Sequence, residues 1–260
     1  MRLLLTLCFV FLSAASWAAP KADLWAYWQP SQATSQQTVD HQRWQQLLDR
    51  YLVVKPNQTL FRYRAVSDDD KYALNRYLRE LATLDPRQLN RDEQFAYWVN
   101  VYNALTVQVI LDNYPLQSIT KLGGFFSFGP WNEKLITINN KTLSLNDIEH
   151  RILRPIWHDP RIHYAVNCAS LGCPDLQPQA FTASNHESLL ELSARRFINS
   201  SKGVSPAGDT VRLSSIYDWY GSDFGNKTQL QAHLNTYRKG TPIQLNKVSY
   251  DYNWALNEPN

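Results

Sequence analysis

The sequence predicts an α+β fold, a single domain in which a buried central helix packs on a mainly antiparallel sheet with further helices at the periphery. The strongest observation is the segment from Phe95 to Leu111, which is apolar nearly all the way round a helix and must be surrounded by other elements. Short stretches of alternating apolar and polar residues predict strands. They lie at 59–66, 134–138, 141–145 and 243–252.

Amphipathic helices with clear start signals account for much of the remaining chain. One is predicted from about Val39 to Tyr51, and a second carries Leu74 to Leu81 and ends before Pro86. A polar residue followed three positions later by an acid or amide is typical of a helix N-terminus. This pattern occurs at Asn90 with Glu93, Ser144 with Asp147, Ser184 with Glu187 and Asn226 with Gln229.

The N-terminus has the features of a signal peptide. A single Arg2 precedes an apolar run that is too short to span a bilayer comfortably, and Ser16-Trp17-Ala18 offers small residues for cleavage. We therefore expect residues 1–18 to be a signal peptide, 19–38 a polar lead-in and 39–260 one globular domain. The protein is then periplasmic or secreted, with no transmembrane segment in the mature chain.

The charge balance argues against a nucleic-acid partner. Of the 26 Lys and Arg residues only Arg2 lies in the predicted signal peptide, which leaves 25 against 23 Asp and Glu residues. A nucleic-acid binder would concentrate basic residues on one face. We expect a small-molecule or peptide-like substrate instead, and nothing in the sequence requires a cofactor.

Two cysteines mark the most reactive stretch of the chain. Arg161 to Asn167 is an apolar run that predicts a buried strand, and it delivers His163 and Cys168 to a turn that also holds Cys173. Along a strand His163 and Cys168 would face opposite sides, so they meet only if the chain turns near Asn167.

Three hypotheses for the cysteines stay open. In the first, Cys168 is a nucleophile, His163 its base, Glu149 the group that orients the imidazole, and Asn167 or backbone amides the oxyanion donors. In the second, an exported protein carries a structural Cys168–Cys173 disulfide. A zinc site with His163 is the third, although the spacing matches no familiar ligand pattern. A labile disulfide that masks the nucleophile would combine the first two hypotheses.

Glu149 supports the catalytic hypothesis because of its place on a predicted helix. It shares an apolar stripe with Leu145 and Ile152, and an unpaired carboxylate there would be costly. Arg151 and Arg154 are possible structural partners, while His163 is the possible catalytic one.

Four residues are candidates for substrate binding. Asn103 lies on the buried helix and could point into a polar pocket, although buried asparagines more often tie down neighbouring loops. Asn167 precedes the cysteine. Phe126 and Trp131 lie on or next to a glycine-bounded, Phe-rich loop that could line a cleft.

Several motifs, in order along the chain, resemble the family known as domain of unknown function 547. They are found at 95–104, 143–149, 159–163, 167–174 and 250–254, within a stretch from about Leu81 to Asn257. The order of elements also resembles papain-like and transglutaminase-like cysteine enzymes. Those enzymes place their cysteine at the start of the central helix, whereas this helix has Asn100 and Asn103 and no cysteine.

Two functions follow from these hypotheses. The first is an exported cysteine-dependent hydrolase or acyl/amide transferase that acts on a peptide-like or cell-envelope substrate. The alternative is a non-catalytic periplasmic ligand- or protein-binding module with a structural Cys168–Cys173 disulfide.

Overall fold

The computed structural model describes residues 20–123 and 128–259. The predicted signal peptide and Phe126 lie outside these residues. The helices are α1 (Gln42–Tyr51), α2 (Asp68–Ala82), α3 (Arg91–Asp112), α4 (Leu145–Ile148), α5 (Arg154–Trp157), α6 (Ile162–Ala165), α7 (His186–Ile198), α8 (Ile216–Trp219), α9 (Gly221–Phe224) and α10 (Lys227–Tyr237). The strands are β1 (Leu52–Lys55), β2 (Gln58–Phe61), β3 (Ile136–Ile138), β4 (Lys141–Leu143), β5 (Val204–Ala207), β6 (Thr210–Ser214) and β7 (Val248–Asp251).

Helix α3 is the buried centre of the molecule, as predicted. Its residues from Glu93 to Val107 are all buried, because other elements surround it. The Asn90 side chain accepts a hydrogen bond from the Glu93 N–H at 3.0 Å and caps the helix. The Glu93 carboxylate does not complete the reciprocal capping box, since it accepts the N–H of Val39 at 2.7 Å. It thereby anchors the chain in front of α1.

The α+β class is confirmed, and the strands of the described residues are divided among three small sheets. β1–β2 and β3–β4 are antiparallel hairpins, while β5, β6 and β7 form a mixed sheet in which β6 and β7 run parallel. Asn139 and Asn140 turn the second hairpin with positive φ values of 47° and 58°. The elements packed most closely on α3 are helices, mainly α2 and α4.

The predicted strand from Arg161 to Asn167 is wrong, because residues 162–165 form helix α6. Every residue from 162 to 167 is buried, and a short apolar run cannot distinguish a buried strand from a buried helical turn. Asp159 and Pro160 carry the missed signal. The Asp159 carboxylate accepts the Arg161 N–H at 2.8 Å, and an Asp-Pro pair favours a turn, here the one directly before Ile162, where α6 begins.

A second apolar cluster packs beside the α3 core. It combines α7 with the three-stranded sheet and α8 to α10, and Tyr164 of α6 belongs to it. Because the neighbouring Ile162 and Ala165 belong to the α3 core, α6 joins the two clusters. The strand predicted over 243–252 is observed only as β7, and the strand predicted over 59–66 only as β2.

The lead-in from residue 20 to 38 lies against the core. Trp28 is fully buried and packs edge-on against Trp98 of α3 at 5.1 Å. The backbone N–H groups of Asp23 and Trp25 donate to the carbonyls of His150 and Arg151, both at 2.9 Å. Within the described ranges, none of the helices combines the length and apolar character needed to cross a membrane.

Candidate functional site

The first half of the site lies on a helical segment whose hydrogen-bonding pattern changes along its length. Between α4 and α5 the chain continues as a π-helical segment, Glu149–Leu153, and π turns inside helices occur frequently at functional sites. A full capping box at Ser144 and Asp147 fixes the start of α4. Arg151 pairs with Asp147 at 3.1 Å and so is not the partner of Glu149.

A largely buried charge cluster lies at the site. It consists of Glu149, His150, Arg154, His163 and Asp223. Asp223 of α9 accepts hydrogen bonds from Arg154 Nε at 2.6 Å and Nη2 at 2.9 Å, and its Oδ2 lies 2.8 Å from His163 Nε2. The other ring nitrogen of His163 lies 3.7 Å from Glu149 Oε1. The structure thus brings Glu149 and His163 together, and it places a carboxylate at each nitrogen of the imidazole.

For the two carboxylates of this cluster, charge pairing outweighs the cost of burial. Burial raises the pKa of Glu149, but the charges of His150, His163 and Arg154 lower it to about 2. Burial also raises the pKa of Asp223, yet its bonds to His163 and Arg154 hold that pKa well below its usual range. Burial lowers the pKa of His150 to about 4, so this imidazole is neutral at pH 7.

Tyr220 packs against the charge cluster. Its ring stacks on His163 with centroids 4.2 Å apart, and Arg154 lies over the ring at 4.9 Å. Burial raises the pKa of the Tyr220 hydroxyl, and the charges of Glu149 and Cys168 raise it further. The cluster and Cys168 are therefore close enough for their charges to act on the same group.

Hydroxyl groups surround the sulfur of Cys168. Sγ lies 3.0 Å from Tyr252 Oη and 3.2 Å from Ser170 Oγ, and those two oxygens lie 3.1 Å apart. Both ring nitrogens of His163 face carboxylates, so the imidazole does not hold the position next to the sulfur that the sequence hypothesis gave it. The neighbours of Cys168 are therefore hydroxyl groups, one from its own loop and one from the C-terminal segment.

Cys168 and Cys173 are both free thiols, so the alternative of a structural disulfide is not realised in this structure. The backbone N–H of Cys168 donates to Cys173 Sγ at 2.8 Å. Cys168 is partly exposed, whereas Cys173 is only 4% exposed. The pair therefore has one thiol that solvent reaches and one that faces inward.

The two thiols differ in acidity as well as in exposure. Burial raises the pKa of Cys168, but hydrogen bonds from Cys173, Ser170 and Tyr252 lower it below the usual value for cysteine. Burial raises the pKa of Cys173, and the neighbouring Cys168 raises it further. The opposite directions of the two shifts make Cys168, rather than Cys173, the thiol that ionises first.

Asn103 and Asn167 are anchors of the backbone rather than open binding groups. Asn103 Nδ2 donates to the Ala165 carbonyl at 2.9 Å, and its Oδ1 accepts the Asn167 N–H at 2.8 Å. Asn167 Nδ2 donates to the Pro174 carbonyl at 2.7 Å, while its Oδ1 accepts the Ala169 N–H at 2.9 Å. Both side chains shape the turn that presents Cys168, and the Asn167 amide donates away from the sulfur.

Trp131 belongs to an aromatic wall beside the thiol. The wall consists of Phe128, Trp131, Trp219, Tyr252 and Trp254. Trp254 is its centre, with ring centroids 5.8 Å from Trp131, 5.5 Å from Trp219 and 4.5 Å from Tyr252. Because Tyr252 also touches Cys168, the wall leads from the surface to the sulfur.

Several residues of the site were missed from the sequence, Asp223, Ser170 and Tyr252 among them. Asp223 follows His163 by sixty positions in a segment without a distinctive pattern, so no sequence signal pointed to it. Ser170 and Tyr252 lie inside motifs that carry the family resemblance, at 167–174 and 250–254, and those motifs were the available signal. In the described part of the chain, no group of three or more His, Cys, Asp or Glu residues is arranged to hold a metal ion.

Residues 86–198 match a family model described as a protein of unknown function, DUF547. The matched range includes α3, the charge-cluster residues of α4 to α6, and both cysteines. The search of curated proteins found no match, and neither did the search of solved structures. The resemblance to papain-like and transglutaminase-like enzymes stays a prediction.

Proposed function

We propose that the protein, whose residues 86–198 match the DUF547 family model, is a cysteine-dependent hydrolase or acyl transferase with Cys168 as its nucleophile. One observation carries the proposal. The Cys168 sulfur lies 3.0 Å from Tyr252 Oη and 3.2 Å from Ser170 Oγ, and it also interacts with the Cys173 thiol. Donors in these positions stabilise a thiolate, which is the nucleophilic form of cysteine.

Tyr252 is placed to serve as the proton donor of the reaction. Burial and the two neighbouring thiols raise the pKa of its hydroxyl, so it stays protonated at neutral pH. As the thiolate attacks an acyl carbon, the bond to the leaving amine or alcohol breaks and that group takes the Tyr252 proton. Water then returns a proton to Tyr252, and the resulting hydroxide releases the acyl group from Cys168 as a carboxylic acid.

His163 and Glu149 act in this proposal through Tyr220. The charge cluster holds His163 rigidly under the Tyr220 ring, and burial keeps the cluster in place. We infer that these residues position Tyr220 and set the electrostatic field at Cys168, without contacting the thiol themselves.

The aromatic wall indicates the kind of substrate. Aromatic side chains offer large apolar faces on which a flat or apolar group can stack. We infer a peptide-like or cell-envelope amide or ester whose flank rests on Trp131 and Trp254 while its acyl carbon meets Cys168. The predicted export would bring the site to such substrates, and N-terminal sequencing of the protein from its native compartment tests cleavage after Ala18.

The test is the capture of an acyl intermediate from an activated ester such as p-nitrophenyl acetate. The reduced protein should release a burst of about one equivalent of p-nitrophenol, and peptide mass mapping should find the acetyl group on Cys168. The Cys168→Ala variant should lose the burst, whereas the Tyr250→Phe variant, changed at an exposed tyrosine of β7, should keep it. An equal burst from Cys168→Ala would contradict the proposal, and a wild-type protein without any burst would favour the non-catalytic binding module.

A further inference from the structure

Cys173 is a buried thiol that forms no covalent bond in the proposed acyl transfer. Its sulfur lies 2.8 Å from the Cys168 backbone nitrogen and 3.9 Å from the Val166 carbonyl oxygen. Since Cys173 is 4% exposed, its sulfur is shielded from bulk solvent. The partly exposed Cys168 is the sulfur that an external reagent meets first.

The loop from residue 168 to 173, the cysteine loop, is fastened to the C-terminal segment. The Leu171 N–H donates to the Ala255 carbonyl at 2.7 Å, and the Gly172 N–H donates to the Asn253 carbonyl at 2.8 Å. A Cβ at Gly172 would lie 2.7 Å from the Asn253 nitrogen, so only glycine permits this close approach. The cysteine loop therefore holds the Cys173 sulfur against the backbone of Cys168.

We propose that Cys168 and Cys173 form a reversible dithiol–disulfide pair that reduces small disulfides, with Cys168 as the attacking thiol and Cys173 as the resolving thiol. The proposal rests on the proposed function only in using the same nucleophile. It adds a second class of substrate, low-molecular-weight disulfides, and it assigns Cys173 a chemical role. Oxidation of the pair would also block acyl transfer, because it consumes the Cys168 sulfur.

The reaction balances in two exchange steps. The Cys168 thiolate attacks one sulfur of the small disulfide, the disulfide bond breaks, and one half leaves as a thiolate. The other half remains on Cys168 as a mixed disulfide. Cys173 then gives its proton to solvent and attacks the Cys168 sulfur, and the second half leaves as a thiolate. The small disulfide has gained two electrons, and the protein has lost two.

Intact and peptide mass spectrometry of the native protein after exposure to glutathione disulfide tests the proposal. The experiment uses the full chain with Cys8→Ser, so that only Cys168 and Cys173 carry thiols. We expect the mass to fall by two hydrogens, with a Cys168–Cys173 linkage that dithiothreitol reverses. The Cys173→Ser variant should instead accumulate glutathione on Cys168, and Cys168→Ser should stay unmodified.

The control variant Gly172→Ala keeps both thiols but displaces the fastened cysteine loop. It should form the mixed disulfide on Cys168 and close it at least severalfold more slowly, and near-wild-type closure would show that the fastened loop is not needed. A wild-type product that remains glutathionylated on Cys168 would overturn the proposal. These masses are read without an acyl substrate, so a failed ester burst with a normal disulfide refutes only the acyl-transfer function.

Discussion

The side chain of Asn103 on the central helix accepts the backbone N–H of Asn167, the residue before Cys168, at 2.8 Å. The same side chain donates to the Ala165 carbonyl at 2.9 Å. One buried amide thus fixes the chain where helix α6 ends and the turn to the cysteine begins. The position of the thiol depends on a residue that lies sixty-five positions earlier.

Replacing Asn103 with alanine should reduce both stability and thiol reactivity. The change leaves a buried carbonyl and a buried N–H without partners, which costs about 2 kcal/mol in the free energy of unfolding. It also releases the turn at Asn167, so the contacts of Cys168 loosen and its alkylation by iodoacetamide at pH 7 slows. Urea unfolding and alkylation rates measure the two effects.

Asn100→Ala is the matched control for this prediction. Asn100 lies on the same helix and is equally buried, but it binds the backbone of Phe181 at 2.7 Å and 3.1 Å. The control should lose similar stability and keep the wild-type alkylation rate. Equal slowing in both variants would mean that Asn103 has no particular role at the thiol.

Tyr252→Phe should make Cys168 less reactive at neutral pH. The variant removes a hydroxyl 3.0 Å from Sγ, and a hydrogen bond to a charged group is worth about 1.5 kcal/mol, or about a tenfold change in the thiolate population. Alkylation at pH 7 should therefore slow by about tenfold, while the rate at high pH changes little. Tyr250→Phe should have the wild-type rate throughout, and an unchanged rate in Tyr252→Phe would exclude the hydroxyl as a thiolate donor.

Removing the carboxylate of Asp223 should destabilise the protein strongly. Asp223→Asn leaves the Arg154 guanidinium, whose side chain is 3% exposed, without its bidentate partner. Breaking a buried ion pair on one side costs about 3 kcal/mol. Thermal unfolding measures the loss. Glu80→Gln, which breaks exposed ion pairs with Arg43 and Arg76, should shift the midpoint little, and a comparable shift would contradict this account of the cluster.

His41 should contribute to a loss of stability in mild acid. Burial lowers its pKa from the usual 6.5 to about 4, although Asp40 opposes the shift. Between pH 6.5 and 4 the unfolded chain binds a proton that the folded chain does not, so stability falls as the pH is lowered through this window. The unfolding free energy of wild type at pH 5 should lie below its value at pH 7.5.

His41→Asn removes this titration. The difference in unfolding free energy between pH 7.5 and pH 5 should therefore be smaller in the variant by about 1–2 kcal/mol. Both the variant and the wild type should keep a residual pH dependence of stability, because burial also lowers the pKa of His150 and His233 to about 4. Parallel pH profiles for the variant and the wild type would show that His41 titrates normally in the folded protein.

Local signals in the sequence predicted most of the helices and the two strands of the β3–β4 hairpin. The capping boxes at Ser144 and at Asn226 are observed in full, and Asn139–Asn140 form the turn between the two predicted strands. These features succeed because they depend on residues only a few positions apart. The stretch from Arg161 to Asn167 failed because complete burial removes the periodicity that separates strand from helix.

The site was harder to predict because its contacts join distant parts of the chain. The position of Glu149 on an apolar stripe indicated that it has a buried partner. In the structure that partner is His163, whose Nδ1 lies 3.7 Å from Glu149 Oε1. Asp223 and Tyr252 reach their partners from 60 and 84 positions away. No spacing rule connects residues at such separations, so only the fold shows that Cys168 meets hydroxyl groups.

The pH dependence of Cys168 alkylation in the native, reduced protein tests the central claim most directly. Iodoacetamide rates for Cys168 and Cys173, followed separately by peptide mapping in the Cys8→Ser background, report when each thiol ionises. We predict that Cys168 reacts first, with a midpoint below that of an ordinary cysteine, and that Cys173 reacts only at much higher pH. A Cys168 midpoint at or above the ordinary value would contradict its assignment as the activated nucleophile.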